Sequence, residues 1–208
     1  MSANQLYSNG AINGGDGPGP GEGWVINSGY LVSDSFTVGA GTVTSFDFAS
    51  WNYTGDVLAS VDWAIGSATY GTDLGSGTAS GLSLTTVLQF TDGYGFDIYL
   101  NTISGLNVTL APGTYWLTLQ NAVVLSGDPV GWDENDGPSA AFDSSVGSLV
   151  NGGGYGCANG AAGCTGSEMF DIYGTSAAVP EPTTELFVGA GLLLTAGLSR
   201  FRRQASRR

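Results

Sequence analysis

Hard oxygen donors gather in one short stretch of this chain. Asp128, Asp133, Glu134, Asn135 and Asp136 fall within the nine residues 128–136, inside the sequence DPVGWDENDG. Carboxylate and amide oxygens are the ligands Ca²⁺ takes, so the stretch is a candidate calcium site. It departs from the EF-hand loop: Asp133 and Asn135 alternate as that loop requires, but Gly137 falls where a third ligand belongs. The same residues have a plainer reading, because Asp and Asn among Gly and Pro are what turns are built from. A carboxylate pair, Asp128 with Asp133 or Glu134, is the one acid–base arrangement left for hydrolysis. The turn reading is the simpler of the two.

Other chemistry is excluded by what the sequence lacks. The 208 residues contain no His and no Lys, and the five basic residues, Arg200, Arg202, Arg203, Arg207 and Arg208, all lie at the C-terminal end. Ser-His-Asp and Cys-His devices are therefore impossible, as is a lysine Schiff base. No catalytic residue is assigned and no enzyme is expected. Eighteen Asp and Glu lie upstream of the arginines and the net charge is −13. Such a body has nothing with which to bind phosphates, so nucleic acid is not a partner. The 35 glycines make chance GxG matches meaningless.

Aromatic side chains offer a second kind of site. Trp51, Trp116 and Trp132 could form a platform on which sugar rings stack, as lectin-like jelly rolls provide. The alternative is that they belong to the core, as Trp63 does by its shared parity with Val61 and Ile65. Cys157 and Cys164 enclose six residues in CANGAAGC. A disulfide there implies an oxidising compartment, and two free thiols in a loop are the alternative. Zinc is not expected, since two thiolates without a His leave its tetrahedron incomplete.

The elements that would position these groups are strands. Phe46 and Phe48 alternate with Asp47, and Val61, Trp63 and Ile65 alternate with Asp62. Leu82–Phe90 precedes the turn signal Asp92–Gly95, after which Tyr94, Phe96, Ile98 and Leu100 share one parity. In 114–124, Tyr115, Leu117 and Leu119 oppose Trp116, Thr118 and Gln120. About eight short strands with no helical period predict an all-β fold, an antiparallel β-sandwich or jelly roll, with a barrel as the alternative. The expected layout is a flexible lead-in over 1–23, a β-sandwich domain over 24–175, a linker over 176–182 and a C-terminal hydrophobic helix over 183–208. Residues 121–167 read as a long loop region, the usual home of binding groups.

The end of the chain is organised differently. Val179, Pro180, Glu181 and Pro182 break secondary structure twice, and the apolar run LFVGAGLLLTAGL (186–198) follows. Leu186, Phe187, Val188, Leu192, Leu193, Leu194 and Leu198 would form the anchor. Thirteen residues span about 20 Å as a helix, and the nineteen of 183–201 reach about 28 Å, enough for a thin bilayer. The arginine cluster then sets the C-terminus in the cytoplasm and the body outside. No basic region followed by an apolar one opens the sequence (MSANQLYSNGAING), although export calls for a signal peptide. The expectation is therefore a true start upstream of Met1.

Pro180-Glu181-Pro182, the apolar run and the basic cluster together resemble the PEP-CTERM sorting signal of Gram-negative bacteria, over about residues 179–203. The resemblance implies recognition by exosortase, a membrane-embedded transpeptidase-like enzyme, at Pro180, Glu181 and Pro182. It implies passage through the inner membrane and processing of the tail. It also implies a final place at the surface or in the matrix of a bacterium that makes exopolysaccharide. The body is similar to β-rich proteins of that group carrying stretches like GTYWLTLQN (113–121) and GDPVGWDEN (127–135). No activity transfers with that likeness. The expected role is structural or adhesive, in an envelope or biofilm. The alternative is a carbohydrate-binding module, calcium-assisted or not.

Overall fold

A computed structural model describes residues 4–12, 23–135, 137–144, 150–151 and 166–177. They form an all-β body of two antiparallel sheets, and its boundary falls after Ala177.

The first sheet is organised by β4 (Gly41–Tyr53), which pairs with three other strands. β8 (Phe96–Leu110) pairs along the whole of one edge of β4, and β7 (Leu84–Thr91) pairs with β8. The other edge of β4 is shared end to end. β13 (Phe170–Ser176) covers Gly41–Phe48, and β10 (Gly131–Asp133) covers Ser50 and Trp51. β1 (Asn4–Ser8) pairs with β13, and β2 (Gly23–Val25) pairs with β10. The second sheet runs β12 (Val150–Asn151), β11 (Ala141–Asp143), β3 (Leu31–Val38), β9 (Gly113–Val123), β5 (Ser60–Gly66) and β6 (Gly75–Ser80).

One core joins the inner faces. Phe46, Phe48, Ile103, Phe170 and Ile172 of the first sheet share it with Phe36, Val61, Ile65, Leu117 and Leu119 of the second. Cross-sheet ring contacts, Phe36 to Phe170 at 6.1 Å and Phe46 to Trp63 at 6.3 Å, tie the layers. Period-two alternation predicts the inward sets of β4, β5 and β9, because only one face of each strand can leave water.

One expectation is corrected, and one parity is assigned its face. The stretch 1–23 is not all lead-in, for β1 completes the edge of the first sheet and seats Tyr7 against Phe36 and Phe170, with ring centroids 6.0 Å and 5.4 Å away. Its short alternation is overshadowed by the Gly/Pro-rich residues that follow. On β8 the shared parity of Phe96, Ile98 and Leu100 belongs to the outer face. Register places Ile103 opposite Phe46 and Asn101 opposite Phe48, so Ile98 and Leu100 point to the outer face. A bulge then resets the parity: Gly105, Leu106 and Asn107 stand opposite Thr44 alone, with Gly105 at φ 81°. That backbone is easiest for glycine, and it returns Val108 and Leu110 to the core.

Candidate functional site

The three tryptophans do not share a face. Trp132 is fully buried on the inner side, packed on Phe48 at 6.3 Å and Phe170 at 5.8 Å, and its indole N–H donates to the Met169 carbonyl at 2.8 Å. Trp51 is 5% exposed on the outer side of the same sheet. Its N–H donates to Asp133 Oδ1 at 2.6 Å, and its ring lies 5.6 Å from Phe96. Trp116, half-buried, turns to the outer side of the second sheet against Phe142 at 5.2 Å. The sugar-stacking expectation is thus corrected. Trp132 sits not on a loop but on β10, whose pairing with Ser50 of β4 carries it inward.

The predicted calcium ligands do not meet either. Asp128 is exposed on a turn held by Asn27, whose Nδ2 donates to the Asp128 carbonyl at 2.8 Å. Asp133 and Glu134 are buried. Asn135 is committed to the fold: its Nδ2 donates to the Asn9 carbonyl at 2.6 Å, and its Oδ1 accepts from Gly137 N at 2.9 Å and Ser167 Oγ at 3.0 Å. Asp136 lies outside the described residues. Among the described residues no three His, Cys, Asp or Glu side chains are placed to hold a metal ion. Adjacent residues of an extended strand face opposite ways, which separates Asp133 from Glu134.

What the fold does assemble is a buried polar centre where β10 ends and β13 begins. Glu134 and Glu168 form a bridge pair just past Trp132 and just before Phe170. Opposite them, Asp34 shares the inward parity of Val32, Phe36 and Val38 on β3. Asp143 stands across from Val32 on β11. Asp34, Asp143 and Glu168 are at most 1% exposed, and Glu134 is 8% exposed. Asn9, just beyond β1, closes the group. Its Nδ2 lies 2.6 Å from Ser139 Oγ, 2.8 Å from Ser167 Oγ, 2.5 Å from the Glu168 carbonyl and 3.3 Å from Asp34 Oδ2. Tyr7 donates to Asn9 Oδ1 at 2.7 Å. Asp34 Oδ2 also accepts from Ser139 Oγ and from Glu168 N, each at 2.7 Å, while Oδ1 accepts from Ser35 N at 2.6 Å.

Burial sets the electrostatics. Asp34 is pushed up from 3.8 to about 7 by desolvation, against the pull of its bonds from Glu168 N, Ser139 and Ser35 N. Glu168 rises well above the ordinary carboxyl range, first through burial and then through the charges of Glu134, Asp34, Asp133 and Asp143. Both of its carboxylate oxygens are buried without a hydrogen-bond partner. Tyr7 is pushed up to about 12 by burial and by Asp34. Among the described residues there is no Lys, Arg or His to neutralise it.

Asn9, Asp34, Ser139, Ser167 and Glu168 were not singled out in the sequence. Part of the signal was present, for Asp34 sits in step with Val32 and Phe36, and Glu168 in step with Phe170 and Ile172. An acid in the apolar phase of a strand marks a buried charge.

No family model matches this chain, and no curated protein matches it. Cys157, Cys164, the 179–182 motif, the apolar run and the arginines lie outside the described residues. Among the described residues no helix is long and apolar enough to cross a membrane.

Proposed function

We propose that this chain is an exported protein of the bacterial surface or extracellular matrix, with a structural or adhesive body and a C-terminal sorting segment. The order of Val179-Pro180-Glu181-Pro182, the apolar run 186–198 and the arginine cluster carries the reading. Exosortase would act at the motif, with the apolar helix lodged for a time in the inner membrane and the arginines on its cytoplasmic side. We read the two sheets as a β-sandwich of jelly-roll kind, because one core serves both inner faces. The interior positions of Trp51 and Trp132 support a structural body over a sugar-stacking one.

Deleting residues 179–208 in the native bacterium tests the sorting segment. The truncated chain is expected to leave the envelope fraction while keeping the far-ultraviolet spectrum of a β protein. Envelope retention of the truncated chain equal to that of the full chain would overturn the proposal.

A further inference from the structure

We propose that the centre formed by Asn9, Asp34, Glu134 and Glu168 is a proton-held clasp, in which protons taken from solvent supply the positive charge that the described residues lack. With them bound, β1, the residues after β10 and the start of β13 stay fastened between the sheets. Without them, the centre carries unneutralised charge in a dry interior and the body loosens as the medium turns alkaline. The inference does not depend on where the protein is sorted.

The geometry leaves few other ways to neutralise these acids. A buried carboxylate needs a basic partner, a full set of donors, a cation or a proton. A basic side chain is absent from residues 1–199. Donors suffice for Asp34 but not for Glu168, whose two oxygens are buried without a partner. A metal is not favoured, because the described side chains do not converge in threes. The groups facing Glu168 are all acidic: Glu134 across the bridge, Asp34 on β3, Asp133 on β10 and Asp143 on β11. Tyr7 from β1 faces Asp34, and Tyr70 faces Asp143. Every one is neutral or negative, so each ionisation makes the next harder.

The sign follows from linkage. Asp34 and Glu168 are raised in the folded state, so their contribution is fully present below the ordinary carboxyl range. It is lost as pH climbs, through about 7 for Asp34 and higher for Glu168. Exposed carboxylates are already ionised above about pH 6 and no His exists, but the α-amino group, Cys157 and Cys164 ionise nearby and Asp47 is also raised by burial.

The test is urea unfolding of the full chain, followed by tryptophan fluorescence from pH 5 to pH 9, with and without 1 mM CaCl₂ and with the cysteines kept either oxidised or reduced throughout. The wild-type midpoint is expected to fall steadily with pH, whether or not calcium is present. Glu168→Gln should flatten the alkaline part of that fall, and Asp34→Asn the part below and around pH 7. If one variant does not fold, the other carries the test, and the wild-type slope stands by itself. A wild-type midpoint that is flat or rises with pH overturns the clasp. So do variants that keep the wild-type slope. Calcium that abolishes the alkaline loss would also overturn it, replacing protons with a divalent ion as the neutralising charge.

Discussion

The space between the two sheets is filled in two different ways. Phe46, Ile65, Ile103 and Leu117 fill one part of it with apolar, fully buried side chains. Around Asn9, Asp34, Ser139 and Glu168 it holds hydrogen-bonded polar groups at nearly the same burial. The same strands serve both halves, since β3 carries Phe36 and Asp34 and β13 begins two residues after Glu168. The difference lies in continuity. In the apolar half β4 and β8 pair without a break apart from one bulge. In the polar half, one edge of β4 passes from β10 to β13, and chain ends from β1 and β11 converge there. Backbone groups at such a junction lack ladder partners and need side chains to satisfy them. Asn9 and Asp34 serve the Glu168 backbone in that way, one taking its carbonyl and the other its N–H. Apolar packing therefore supplies bulk stability, while the polar half fixes which segments meet.

The contrast breaks first if the apolar half is not dominant. Phe46→Ala removes a fully buried ring packed on Phe48 and Trp63. The expected loss is about 3–5 kcal/mol. Urea denaturation should show the same loss at pH 5 and pH 8, because its ring partners Phe48 and Trp63 do not titrate. A pH-dependent loss would mean that the two halves are coupled through the core.

Asn9→Ala is the matching cut in the polar half. It leaves Ser139, Ser167 and the Glu168 carbonyl without the amide they share. Such a deletion costs about 1–3 kcal/mol, because buried acceptors lose a donor and no water replaces it. The damage should be local. Hydrogen exchange ought to accelerate at the Asn9 amide, which donates to the Phe170 carbonyl at 2.9 Å, and on β1, while β8 keeps its protection. Uniform loss of protection over both sheets would show that the centre holds the whole body and not one junction.

Most of the fold was legible in the sequence because alternation reports burial directly. Phe46 with Phe48, and Val61 with Ile65, face the core as their spacing requires. The gaps have physical causes. The shared parity of Ile98 and Leu100 did not by itself name a face, since both faces of the sheet are covered near Trp51 and only register distinguishes them. β10 has three residues, too few for a period, so Trp132 read as part of an acidic loop. The polar centre was the least legible. Its members come from positions 9, 34, 139 and 168, and only the folded sheets bring them together. No local spacing carries that information, although the acid in phase with Val32 and Phe36 was open to view.

The smallest test separates packing from display at Trp116, the one of the three candidate stacking tryptophans that stays partly in solvent. Trp116 lies edge-on to Phe142, with an interplanar angle of 65°, on the outer side of the second sheet. It links β9 to β11, the strand that also bears Asp143. If its work is to pin that strand, Trp116→Ala should cost about 1 kcal/mol, the scale of one aromatic pair with partial burial. Trp116→Phe should recover most of it, since a ring edge is all the contact demands. Replacing Phe142 by Ala should then cost the Trp116→Ala variant almost nothing more, because the two deletions remove the same contact. Additive losses would instead mean that each ring packs on its own neighbours, leaving the Trp116 face free for a ligand. A double-mutant cycle in urea decides between them.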